Sequence, residues 1–436
     1  MLKKKQTINQ YIRTLCPILC IILGLPSPLV AQNNGSESPY TRFGLGNFER
    51  VGHAYNRGMG GLGIALRGGQ GTNPTNPASY SAVDSMTFVF DFGASAGAYW
   101  SKENRHSSHR LLGNFEYATM LFPISKGIGA SIGLLPMATA GYQYGSSQPI
   151  EGSNNLTYKQ IHQGTGNLSK LYIGAAIEPF EGLSVGANLN YMFGSYDHSR
   201  HVSYSSGETL DPTIKSRLHL QGIGGNLGLQ YSRPIAKGDQ RITIGATYTI
   251  PTKFNSKLYT DHYVVSSGKV MEFTQTDTIK GNNLYSTPHV FGLGVSVDIS
   301  QKVMAGIDVQ YSKWNEASFY QSQCKYQDQW FVALGTQYIP NANDVSMLKQ
   351  IRYRAGISMG NSYLKLPTAN GFEGYHRVGL SAGLSIPLVD RRSFVQMGLE
   401  YDRLLPNNRD MVSEHSIRLT LGLTFNEGWF RKLKLN

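Results

Sequence analysis

Most of this chain is built from segments in which apolar side chains occupy every second position, with small or polar ones between them. In residues 394–402 one set is Val395, Met397, Leu399 and Tyr401, and the other is Gln396, Gly398, Glu400 and Asp402. Ile417, Leu419, Leu421, Leu423 and Phe425 alternate in the same way with Arg418, Thr420, Gly422 and Thr424. Successive side chains of a strand point to opposite faces, so each segment offers one face to lipid and the other to water. The pattern predicts an all-β chain, a transmembrane antiparallel β-barrel with a polar interior. Mean hydropathy, at −0.27, conceals it because the two faces cancel.

Alternation places strands at 86–100, 111–123, 128–144, 164–177, 183–204, 214–232, 241–258, 290–299, 303–319, 327–339, 351–363, 375–387, 394–404 and 412–425, about 14 in all. Tight connections at 125–127, 179–182, 300–302 and 389–392 contrast with longer ones at 145–163, 260–287 and 365–374. Short turns belong to the periplasmic side and long loops outside, so both ends of the barrel chain are expected to face the periplasm. With 49 glycines, 26 tyrosines and only 16% charged residues, the composition departs from that of a soluble protein. No change of texture divides residues 85–425, which are expected to form one barrel, with 426–436 as a periplasmic C-terminal tail.

Residues 1–31 read as a secretory signal peptide: Lys3, Lys4, Lys5 and Arg13 precede an apolar run, and Val30-Ala31 forms the cleavage site. Loss of those four charges takes the net charge from +12 to +8, scattered rather than gathered into a basic block. Anionic outer-membrane lipids and lipopolysaccharide fit such a surface, and nucleic acid does not. Cys16 and Cys20 leave with the leader, so Cys324 has no intrachain partner. Residues 32–84 do not alternate and are rich in glycine and proline, and lipid cannot satisfy irregular backbone. This segment is expected to be a hatch, or plug, folded inside the lumen. Asn76 would tie to backbone groups there and Pro77 would fix a bend.

The stretch Arg57, Gly58, Met59, Gly60, Gly61, Leu62, Gly63 leads on to Asn76-Pro77-Ala78. This run is similar to the glycine-rich stretch and Asn-Pro-Ala motif of the FadL/TodX type of outer-membrane transporters for long-chain fatty acids and other hydrophobic compounds, and the likeness is not confined to it. It continues through 183–191, Thr287-Pro288, Asp308 with Trp314, Arg354 and Arg377. The resemblance implies a 14-stranded barrel with an N-terminal hatch, capturing a hydrophobic ligand and releasing it sideways through a gap in the wall. The tail beyond Phe425 departs from familiar members and looks like proteins of the Bacteroidetes group.

Enzyme-like motifs read differently in this setting. Gly182-Leu183-Ser184-Val185-Gly186 and Gly379-Leu380-Ser381-Ala382-Gly383 match the serine-hydrolase pattern, but each serine lies inside an alternating strand and not on a strand-to-helix elbow. Gly58 to Gly63 matches a dinucleotide fingerprint without the preceding strand that chemistry requires. The histidines at 106, 109, 198 and 201 lack further ligands nearby, so no metal or cofactor is expected. The candidate site residues are therefore Gly58, Gly60, Gly61, Gly63, Asn76, Pro77 and Ala78 in the hatch. Asp91, Glu116, Asp308, Arg354, Glu400, Asp402 and Arg418 are the lumen-facing charges. The function expected is hatch-gated uptake of a hydrophobic small molecule by a monomeric, non-enzymatic outer-membrane barrel, itself inserted by the barrel-assembly machinery. A plugged barrel that binds partner proteins is the alternative, and an outer-membrane acyl hydrolase the remotest one.

Overall fold

In a computed structural model the chain is described over residues 38–428, except 51, 69–70, 104–105, 151, 153–155, 206–210, 236–239, 267–268 and 370. The signal peptide expected at 1–31, residues 32–37 and residues 429–436 lie outside the described residues. Fourteen antiparallel strands follow one another around a closed wall. They are β1 (Thr87–Glu103), β2 (His106–Ser125), β3 (Ile128–Pro149), β4 (Thr157–Phe180), β5 (Leu183–Tyr204) and β6 (Asp211–Pro234). Two strands are each broken into two pieces, β7 (Arg241–Ile250, Lys253–Ser266) and β8 (Lys269–Ser286, Val290–Ile299). The wall is completed by β9 (Val303–Ser312), β10 (Gln329–Tyr338), β11 (Arg352–Asn361), β12 (Tyr375–Pro387), β13 (Phe394–Pro406) and β14 (Ser413–Gly428). Closure comes from β1 pairing with β14, Thr87 opposite Gly428 and Lys102 opposite Ser413.

The two faces separate as alternation requires. Ile173, Leu189, Leu227, Leu293 and Leu380 project outward and exposed, whereas Tyr172, Asn190, Gln230, Glu400 and Thr420 are buried inside. An apolar outer band over a polar lumen is a surface made for a lipid bilayer. The loops expected at 145–163 and 260–287 are instead largely strand, because β3 to β8 run on past the band as long hairpins. Both faces are wet there, so Tyr259, Thr260, Asp261, His262 and Tyr263 show no apolar alternation although they keep β pairing. Conversely, β9 stops at Ser312 and a 3-10 turn, Trp314–Glu316, follows. Asn426 and Glu427 pair with Val89 and Phe88, so the wall extends beyond Phe425 into what the sequence assigned to the tail.

Before β1 the chain is packed inside the wall. A 3-10 turn (Pro39–Arg42) lies beside β3 near the long-hairpin end, and Asn47–Phe48 then pairs with Thr139 and Ala138 of β3. The short helix α1 (Ala54–Arg57) and a second 3-10 turn (Pro77–Ala82) follow before the chain enters β1. This plug fits through glycines of the wall. A Cβ on Gly186 would stand 2.5 Å from the Pro77 carbonyl carbon and 2.6 Å from the Ala78 nitrogen, and one on Gly228 would strike the Asn76 side chain.

The wall is irregular at two places. Pro251-Thr252 and Thr287-Pro288 interrupt neighbouring strands at one level, since proline supplies no ladder N–H. The break is mended locally: the Thr252 N–H donates to the Thr287 hydroxyl at 2.8 Å, and the Thr287 N–H to the Thr252 carbonyl at 3.0 Å. The second irregularity is an opening. β2 pairs with β3 only from Ala118–Leu134 down to Ser125–Ile128, so from His106 to Tyr117 β2 is paired on its β1 side alone. The matching lip of β3 is covered by the plug: the Glu49 N–H donates to the Met137 carbonyl at 2.9 Å, and the Thr41 hydroxyl meets both the N–H and the carbonyl of Gly141.

Gly186→Val should overpack the plug seat by about 1–3 kcal/mol. The outcome expected is a folded, heat-modifiable barrel with raised ion conductance in planar bilayers, while Ala175→Val, on the lipid face of β4, leaves conductance unchanged.

Candidate functional site

The plug is fastened by charge. Arg57, the last residue of α1, is buried, and its guanidinium reaches Glu116 of β2 at 2.5 Å, Glu400 of β13 at 3.1 Å and Glu49 of the plug at 3.6 Å. Arg418 of β14, directly opposite Glu400 on the neighbouring strand, lies 2.6 Å from Glu49 and 3.8 Å from Glu116. Arg50 pairs with Glu400 at 3.3 Å and with Asp402. Three guanidinium groups thus meet four carboxylates, and Arg377 adds a nearby positive charge, hydrogen-bonded to Asn47 at 3.1 Å. A bulge in β1–β2 pairing between Gly93 and Ala94 turns both Glu116 and Tyr117 inward, which is how one strand contributes two successive residues to the lumen.

Backbone is held as well. The Asp308 carboxylate accepts the N–H groups of Gly63 at 2.7 Å and Ile64 at 2.8 Å, and Asp91 accepts the Thr72 N–H at 2.6 Å together with the Thr424 hydroxyl. The glycine run makes close contacts: a Cβ on Gly58 would stand 2.9 Å from the Gly383 Cα, and one on Gly60 2.7 Å from the Ile357 carbonyl oxygen. Gly60 and Gly61 also have φ of +72° and +95°, a region other residues rarely enter. Asn76 caps the second 3-10 turn, accepting the Ala78 N–H at 3.1 Å and donating to Ile64 at 2.7 Å and Leu229 at 3.1 Å, with Pro77 opening that turn. His53 is buried beside Thr119, and burial pushes its imidazole down to about 3, so it stays neutral.

All seven charges singled out in the sequence have inward positions, but they divide three ways. Glu116, Glu400, Asp402 and Arg418 come together around Arg57 and Arg50. Asp91 and Asp308 each hold plug backbone elsewhere, and Arg354 stands apart, bonded to Gln337 at 2.9 Å and Ser385 at 2.5 Å. Glu49, Arg50 and Arg57 were missed; the visible signal was an arginine heading a glycine run. Both motif serines serve the plug: the Ser184 hydroxyl accepts from Arg67 at 2.5 Å, and that of Ser381 accepts the Gly60 N–H at 2.7 Å. His198 bonds Tyr142 at 2.7 Å and His201 bonds Thr213 at 2.8 Å.

Between the plug and the long-hairpin end lies a cavity of about 270 Å³. Phe48, Met137, Met192, Trp314, Phe331 and Tyr363 give it apolar and aromatic walls, Asn190 and Asn226 add amides, and Glu49, Arg50 and Arg377 border it on the plug and the wall. Lys170 of β4 also lines it, between Leu135 and Met192 of the neighbouring strands. This lysine is buried and has no hydrogen-bond or ion-pair partner among the described residues.

A closed wall of fourteen strands, a luminal N-terminal plug and an opening beside the third strand define a plugged transmembrane barrel with the fold of FadL/TodX-type channels. The sequence model described as BamG matches residues 11–436, and the chain belongs to the BamG family. No curated protein matches the sequence. Among solved structures it is similar to the CymD monoaromatic hydrocarbon channel, with 18% identity, a TM-score of 0.60 and coverage of 88% of this chain and 100% of that one. A Pseudomonas aeruginosa FadL homologue gives 12%, 0.59, 87% and 99%, and the Pseudomonas putida toluene transporter TodX 16%, 0.58, 89% and 99%. At such identities the likeness is one of fold.

Arg57→Met leaves buried carboxylates unpaired, which costs about 3–5 kcal/mol. A lower unfolding midpoint and higher ion conductance are expected, both partly restored by adding Glu116→Gln. Burial alone would raise Glu49, but Arg418 and Arg57 hold its carboxylate below the ordinary 4.5. Its contribution is therefore complete above that value and is lost as pH falls below it, so acid titration toward pH 2 should raise conductance in the wild type, with a smaller change in Glu49→Gln.

Proposed function

We propose that this protein is an outer-membrane barrel for uptake of a hydrophobic compound, with its short turns in the periplasm and its long hairpins outside. The cavity carries this reading. Aromatic and thioether side chains set among many polar ones, Glu49, Arg50 and Arg377 included, suit a small ligand with both an apolar and a polar part, although the volume is just under the common range of about 300–1,000 Å³. Lys170, buried and without a partner among the described residues, favours a ligand with an acidic head, such as a long-chain fatty acid, because an isolated ammonium is costly to bury. Release follows the side opening between β2 and β3, since Phe48 and Met137 belong both to the cavity wall and to the plugged lip of that opening. Movement of the plug is the gate.

Membership of the BamG family favours a second reading, a plugged barrel that holds partner proteins in barrel assembly. The buried ion pairs that fasten the plug suit a fixed scaffold equally well.

Lys170→Met separates the two. In proteoliposomes of the full-length protein, uptake of a long-chain fatty acid is expected to fall about tenfold, the equivalent of 1.4 kcal/mol, with toluene flux little changed. Equal flux of both solutes in wild type and variant, together with stoichiometric recovery of barrel-assembly proteins from native membranes, would discard uptake in favour of the scaffold.

A further inference from the structure

The clustered lumen charges nearly neutralise one another, but two arginines at the short-turn end do not take part. Arg352 and Arg354 stand two residues apart on β11, so both side chains point inward, and neither pairs with a carboxylate among the described residues. Arg352 lies at the start of the strand, part-exposed, with its guanidinium carbon 4.5 Å from the centre of the Phe394 ring. Its Nη1 is buried and has no hydrogen-bond partner among the described residues. Arg354, 5.7 Å from the Tyr55 ring of the plug, donates from Nε to the Gln337 Oε1 and from Nη1 to the Ser385 Oγ.

Those two acceptors leave donors over. The Ser385 hydroxyl spends its oxygen on Arg354 and its proton on no other described group, and the Gln337 amide nitrogen likewise donates to none. Ser385 lies directly opposite Arg352 on β12, and Gln337 directly opposite Arg354 on β10. A patch of two uncompensated positive charges, with an orphaned N–H, a hydroxyl and an amide, has donors but no anionic acceptor. Buried like charges persist when a counter-charge satisfies them, and planar guanidinium donors suit an oxyanion best.

We propose that Arg352, Arg354, Ser385 and Gln337 form a binding site for a small oxyanion, phosphate or carboxylate, entered from the short-turn end of the lumen. The site is separate from the cavity that Lys170 lines and does not depend on the uptake reading. A bound anion would tie β10, β11 and β12 together next to the plug ring of Tyr55, so occupancy would stiffen the seat of α1.

The test uses purified full-length protein in detergent, with heat-modifiability as the check that each variant is folded. Phosphate and butyrate are titrated separately against chloride at constant ionic strength, reading the unfolding midpoint and, for phosphate, ³¹P line broadening. Saturable stabilisation by phosphate or butyrate is expected, the stronger of the two identifying the source. Binding should weaken at least about tenfold in Arg352→Met and recover partly in Arg352→Lys. Gln337→Leu, which keeps both charges, should weaken it less. Stabilisation by chloride equal to that by both oxyanions, no saturable effect at all, or full binding in folded Arg352→Met would each overturn the site.

Discussion

The structure depends on one buried cation. Arg57 stands at the end of a four-residue helix too short to be stable alone, and it joins carboxylates from the two ends of the barrel sequence, Glu116 near its start and Glu400 near its end. A guanidinium with several donors can satisfy carboxylates on different sides at once, which an ammonium does less well. Around it, the irregular backbone of the plug is satisfied residue by residue, by Asp91, Asp308 and Asn76, because lipid and apolar core could not do so.

The same accounting explains where the wall departs from a regular barrel. Proline removes ladder donors at 251 and 288, and threonines at 252 and 287 replace them from the neighbouring strand. At the β2–β3 opening the repair is one-sided: plug residues bond to β3, and the facing stretch of β2 pairs only with β1. The opening and the plug are therefore two parts of one arrangement. The fold likeness to hydrocarbon channels and the membership of the BamG family concern the chain as a whole, and what such a scaffold does is decided by its sites.

Much of the barrel was legible from period-two alternation, since that pattern is imposed directly by lipid on one side and water on the other. It worked for β13 and β14, where each outward and inward residue falls as the sequence suggests. It failed beyond the membrane, at Tyr259 to Tyr263, where the strand persists without apolar alternation. The inward charges were also legible as inward. Their partners were not, because Glu116, Glu400 and Arg57 are far apart in sequence and only closure of the ring brings them together. Lys170 was invisible for a related reason: a lysine at an inward position looks like any solvated lumen charge until the absence of a partner is seen.

Arg57 bridges the second strand and the thirteenth, and the seam between β1 and β14 lies between those two. Until that seam forms, the second and thirteenth strands lie near opposite edges of an open sheet, so Arg57 can hold Glu116 and Glu400 together only in the finished ring. The full seat of α1 is thus complete no earlier than the seam, and a helix near the start of the chain reaches its final surroundings only when the last strand has found the first.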